Sequence, residues 1–108
     1  MQSLTGLLAP PALTESTALA REFAAAQPFR HVAIDGFLDE DFARDLLAQF
    51  PAFERGNALA EHGRPGDKST VERIRGLGDR YAQLDDLVRS REFLDWLGGV
   101  TGIPGLLY

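Results

Sequence analysis

The sequence predicts an α+β fold, mainly helical, with one or two short strands. Three observations carry this reading. Apolar residues recur at three- and four-residue spacing in several segments, the mark of helices with one buried face. One stretch, residues 31–35, instead alternates with a period of two, the mark of a strand. Glycine and proline fall between these segments as turn and stop signals.

The chain has 108 residues, of which 44% are hydrophobic and 25% charged. That is ordinary globular composition and enough chain for one small core. Residues 1–13 read as a flexible leader, with Pro10-Pro11 favouring extended backbone, and residues 14–108 read as a single domain. TESTALAREFAAA, residues 14–26, places Leu19 and Phe23 four apart, and predicts a short helix capped at Thr14 or Ser16 and ended before Pro28. In FRHVAIDGFL, His31, Ala33 and Asp35 alternate with Val32 and Ile34, and Gly36 closes the strand.

Asp39 is a suitable N-cap, and Glu40 and Asp41 place negative charge where the helix dipole favours it. Phe42, Leu46 and Phe50 follow four apart, Ala43 and Leu47 widen the stripe, and Pro51 stops a helix spanning 39–50. Residues 54–75 lose all periodicity and predict a long surface loop. Tyr81, Leu84, Leu87 and Val88 then mark a helix over 80–89. Ser90 caps a last helix over 91–97, with Phe93, Leu94, Trp96 and Leu97 at core spacing and Gly98-Gly99 closing it. The terminal GLLY reads as the beginning of a strand whose partners lie elsewhere, so the sequence is expected to be a fragment or to be completed by a partner.

Composition removes several classes of function. A net charge of -5 and a pI near 4.9 oppose nucleic-acid binding, which needs clustered Lys and Arg. Without cysteine there is no disulfide framework, thiol nucleophile or iron–sulfur ligand. No basic leader segment or long apolar run indicates export or membrane insertion, and a cytoplasmic location is the expectation.

The motifs that suggest chemistry do not survive inspection. GRPGDKST, residues 63–70, superficially resembles a phosphate loop, but Gly63 and Gly66 are three apart, Asp67 would oppose phosphate, and no apolar strand precedes it. His31 and His62 lack a carboxylate two positions on, and His31 and Asp35 on one strand face would stand about 13 Å apart. Ser3, Ser16, Ser69 and Ser90 lie in leader, cap or loop contexts with no nucleophile elbow. The acids between Asp35 and Asp45 lack calcium-loop spacing and suit a helix N-terminus instead. No catalytic, cofactor-binding or metal-ligating residue is assigned.

Taken together, FRHVAIDGFLDEDFARDLLAQFP resembles the opening region of iron(II)/2-oxoglutarate-dependent oxygenases of the bacterial prolyl-4-hydroxylase-like branch. Phe29, residues 31–35, Phe37, Leu38 and Phe50-Pro51 carry the likeness, and Lys68, Leu77-Gly78, Tyr81, residues 90–94 and residues 101–106 continue it. The resemblance covers residues 28–108. It implies the helical N-terminal portion of a double-stranded β-helix (jelly-roll) dioxygenase that hydroxylates a protein or small-molecule substrate. It also implies that iron(II) and 2-oxoglutarate are held by a C-terminal barrel, through an H-x-D pair, a distal histidine and a basic residue. None of these ligands carries over to a residue of this sequence, so the segment alone is expected to be an inactive piece of an oxidoreductase. The helices would pack outside the barrel, and the 54–75 loop would lie at the substrate mouth. The alternative is a small helical protein–protein interaction module without catalysis. The expected partners are accordingly the missing barrel or a second copy meeting through apolar faces, and neither nucleic acid nor membrane.

Overall fold

A computed structural model describes residues 4–53 and 68–108. The described residues form five α-helices and one 3-10 turn. These are α1 (Pro10–Thr14), α2 (Ser16–Ala25), α3 (Glu40–Ala48), the 3-10 turn Ile74–Leu77, α4 (Asp79–Arg89) and α5 (Arg91–Thr101). α2 packs chiefly on α5, while α4 contacts the 3-10 turn, α3 and α5.

Among the described residues, 4–13 of the expected leader pack into this body. Leu4, Leu7, Leu8 and Ala12 join Phe42 and Leu87 in the core. Two backbone bonds fasten the segment to the residues ahead of α3: the Ala9 N–H donates to the Phe37 carbonyl and the Asp39 N–H to the Leu7 carbonyl, both at 2.8 Å. Pro10 and Pro11 do not extend the chain. They occupy the first positions of α1, where no intrahelical N–H is required and the fixed φ already suits a helix. Neither Thr14 nor Ser16 caps α2. The Thr14 hydroxyl donates back to the Pro10 carbonyl, and Glu15 stands at the junction of α1 and α2.

α3 begins where its sequence says it should. The Asp39 carboxylate accepts from the Phe42 N–H at 3.2 Å, and the Phe42 ring is fully buried. Its end differs from expectation. The helix stops at Ala48, where the Gln49 N–H donates to the Asp45 carbonyl and the Phe50 N–H to the Leu47 carbonyl. Phe50 therefore lies beyond the helix, 70% exposed, and Leu47 is 78% exposed rather than part of the buried stripe. The Pro51 ring disfavours helical backbone at Phe50, which accounts for the early stop.

Ser90 both ends α4 and starts α5. Its hydroxyl donates to the Leu87 carbonyl at 2.7 Å and accepts from the Phe93 N–H at 3.1 Å. α5 runs through Gly98-Gly99 instead of ending there. It stops at Gly102, which adopts the left-handed conformation at φ 74° and donates its N–H to the Gly98 carbonyl. That is the C-terminal device glycine serves best.

The expected strands are absent among the described residues, where β pairing is limited to the isolated bridges Thr5–Leu8 and Leu8–Leu38. Residues 31–34 carry no regular structure, yet their alternation is retained: Val32 and Ile34 are half-buried while His31, Ala33 and Asp35 are exposed. A strand exists only with a partner to complete its ladder, and no such partner is present among the described residues. Residues 106–108 likewise form no strand. Most of the loop predicted over 54–75, with His62 and the GRPGD part of GRPGDKST, lies outside the described residues. Residues 68–73 are irregular and exposed, and Ile74–Leu77 forms the 3-10 turn.

Candidate interaction surface

The described residues offer one apolar groove with a distinctive wall. Its floor is the face of α5 carrying Phe93, Trp96, Leu97 and Val100, spaced i, i+3, i+4 and i+7 so that one helical stripe presents them all. Phe23 of α2 forms one side, and Val32, Ile34 and Phe37 form the other. The groove is open and has a volume of about 570 Å³. Aromatic packing fixes its shape. The Trp96 ring lies 5.5 Å from that of Phe37 and 5.8 Å from that of Phe93, and its Nε1–H donates to the Ala12 carbonyl at 2.9 Å. Trp96 thus ties α5 to α1 and also shapes the groove.

Arg30, His31 and Thr101 supply the polar rim. His31 Nδ1 donates to the Phe29 carbonyl at 2.8 Å, with the two rings 5.2 Å apart, which directs Nε2 away from that carbonyl. Residues 31–35 make no backbone hydrogen bond to another segment among the described residues. Bonding resumes at Phe37, whose carbonyl accepts from Ala9. This wall of the groove, residues 31–34, has no regular structure; its Val32 and Ile34 side chains line the groove, and its backbone bonds to no other segment among the described residues.

A second cluster lies at α4. Asp85 is buried and receives Arg75 at 2.8 Å and Arg89 at 3.1 Å, and Arg75 also bonds Asp86. The Arg75 guanidinium, despite the desolvation that opposes it, holds the Asp85 carboxyl below its ordinary range, with Arg89 adding to the effect. The same bonds push the Arg75 pKa up. Arg89 also lies over the Tyr108 ring, 4.4 Å from its centre. With every charge in the cluster engaged, this arrangement locks the 3-10 turn to α4; it does not present a reactive group.

Among the described residues, no three His, Asp or Glu side chains converge as metal ligands. No described helix is long and apolar enough to cross a membrane.

No family model, curated protein or solved structure matches the chain.

The residues that carry the oxygenase likeness are dispersed rather than gathered into a site. Phe37 lines the groove, and the Tyr81 hydroxyl donates to the Leu46 carbonyl at 2.8 Å, joining α4 to α3. Lys68 is exposed. Gly78 adopts φ 156°, and a side chain there would run into that of Gln49. Sequence reasoning assigned Phe93 and Trp96 to the core, and both do pack on it; what it missed is that their other sides, with Phe23 and Val100, border a groove. The available signal was the alternation at Val32 and Ile34, which required a surface for those side chains to face.

Proposed function

We propose that this chain is the N-terminal helical portion of an iron(II)/2-oxoglutarate-dependent dioxygenase, and that it works by packing against a β-barrel that carries the iron site. The observation that supports this reading is the alternating burial over residues 31–35. This segment keeps a strand's alternation over an aromatic groove yet has no strand beside it among the described residues. The resemblance puts the opening strand of the oxygenase segment at these same residues. In this reading the chain supplies the helical layer and a strand edge, while catalysis belongs to the barrel.

The alternative is a helical interaction module without catalysis. It draws support from the exposed apolar side chains Phe29, Leu47, Phe50 and Phe53, which would suit a protein interface.

Calorimetric titration with iron(II) and 2-oxoglutarate separates the readings when done twice, on this chain and on the chain extended by its in-frame downstream coding sequence. The dioxygenase reading predicts no heat for the chain alone and saturable binding, with 2-oxoglutarate turnover, for the extended protein. Stoichiometric binding by the chain alone, or none by the extended protein, contradicts it.

A further inference from the structure

We propose that the apolar groove along α5 binds an elongated aliphatic monocarboxylate, its chain on Phe93, Trp96 and Val100 and its carboxylate at Arg30. The inference rests on the lining of the groove and not on the dioxygenase reading.

The shape suits a small amphiphile. At about 570 Å³ the groove has the size of an ordinary small-molecule site, mostly apolar with a few polar groups that fix orientation. The stripe from Phe93 to Val100 runs about 10 Å along α5, and an unbranched chain can follow it. Phe23 on one side and Val32, Ile34 and Phe37 on the other would take that chain out of water along both flanks.

The charge at the rim selects the head group. Among the described residues the polar lining consists of Arg30, His31 and Thr101, with no acid, in a chain of net charge -5. Two of the three already have partners. The Thr101 hydroxyl donates to the Leu97 carbonyl at 2.8 Å, and His31 Nδ1 to the Phe29 carbonyl. Arg30 has no such partner among the described residues, whereas Arg44, Arg75, Arg80, Arg89 and Arg91 each meet a carboxylate. A guanidinium pairs a carboxylate through two parallel N–H donors. One such cation matches one negative charge. A phosphate monoester, with nearly two charges, would find no second arginine or lysine in the lining and would meet the negative field of the whole chain.

Trp96 is the only tryptophan and lines the groove, so its fluorescence reports occupancy. At pH 7, below micelle-forming concentrations, decanoate should change Trp96 emission saturably. Hexanoate should bind at least tenfold more weakly, because each buried methylene contributes about a fourfold factor. Decyltrimethylammonium carries the same chain on a cationic head and should also bind at least tenfold more weakly, although the net charge of the chain attracts it. Arg30 is exposed, and Arg30→Glu should weaken decanoate binding at least tenfold. Arg21→Glu makes the same change of charge at an exposed position of α2 outside the groove and should alter the affinity less than about twofold. Far-UV circular dichroism verifies that both variants are folded; where Arg30→Glu is not, the comparison of the two head groups on the unmodified chain decides. Absence of a saturable change overturns the proposal, whether the chain sediments as a monomer or as a dimer whose second copy covers the groove. So does equal affinity for the two head groups, or an equal effect of the two substitutions.

Discussion

At residue scale, the sequence specifies single positions through bonds that short spacing makes readable. Asp39 and Ser90 each accept the N–H three residues on, as their positions before acidic and apolar turns indicate. Ser90→Ala should cost about 1 kcal/mol, measurable by urea unfolding. Phe42 is fully buried, and Phe42→Ala should remove about 3–5 kcal/mol, a large share of a small domain's stability. Asp85 was not legible in the same way. Its buried carboxylate depends on Arg75, ten residues away, and on Arg89, and nothing in the local pattern marks a charge that will be enclosed. Its folded pKa is depressed. The stability it contributes is therefore complete above the unfolded value of about 3.9 and is lost as pH falls through the lower folded value. Thermal unfolding from pH 7 to pH 2 should show this acid loss in the parent chain and a flatter acid limb in Asp85→Asn, which begins less stable at pH 7.

At the scale of elements, helices were readable where one face is buried, and ends were readable where a cap is local. α3, α4 and α5 fall close to their expected places. The misreadings share a cause: they turn on distant partners. Gly98-Gly99 resemble a stop signal, but α5 continues because the chain beyond Gly102 folds back over it. A Cβ on Gly98 would stand 2.8 Å from the Ile103 carbonyl oxygen, whereas one on Gly99 would meet nothing within 4 Å. The two glycines should therefore respond oppositely to the same change. Gly99→Ala should stabilise by about 0.5–1 kcal/mol, the helix-propensity gain. Gly98→Ala should destabilise, because backbone must move to admit the methyl. Denaturant midpoints of the two variants check this directly. Pro10-Pro11 misled similarly: in α1 they begin a helix, and the leucines before them are core only because residues 37–39 bond across to them.

At the scale of the whole molecule, the described residues bury nine apolar side chains and leave eight large ones exposed. Exposed apolar side chains of this kind suit an interface. Substituting Leu47 or Phe50 by glutamine should change the stability of the isolated chain by no more than about 0.5 kcal/mol, since neither supports its core, and should weaken association with whatever body covers them. Thermal unfolding and sedimentation of the same variants report the two effects separately. The groove was half legible: alternation at 31–35 named a strand, but no strand lies beside it among the described residues.

The central claim, that this is the helical portion of a dioxygenase whose barrel carries the iron, is tested most directly by reading the coding sequence that follows the codon for Tyr108. The account predicts an in-frame continuation containing an H-x-D motif, a later histidine and a basic residue beyond it. A stop codon directly after Tyr108, or a continuation lacking those residues, would contradict it.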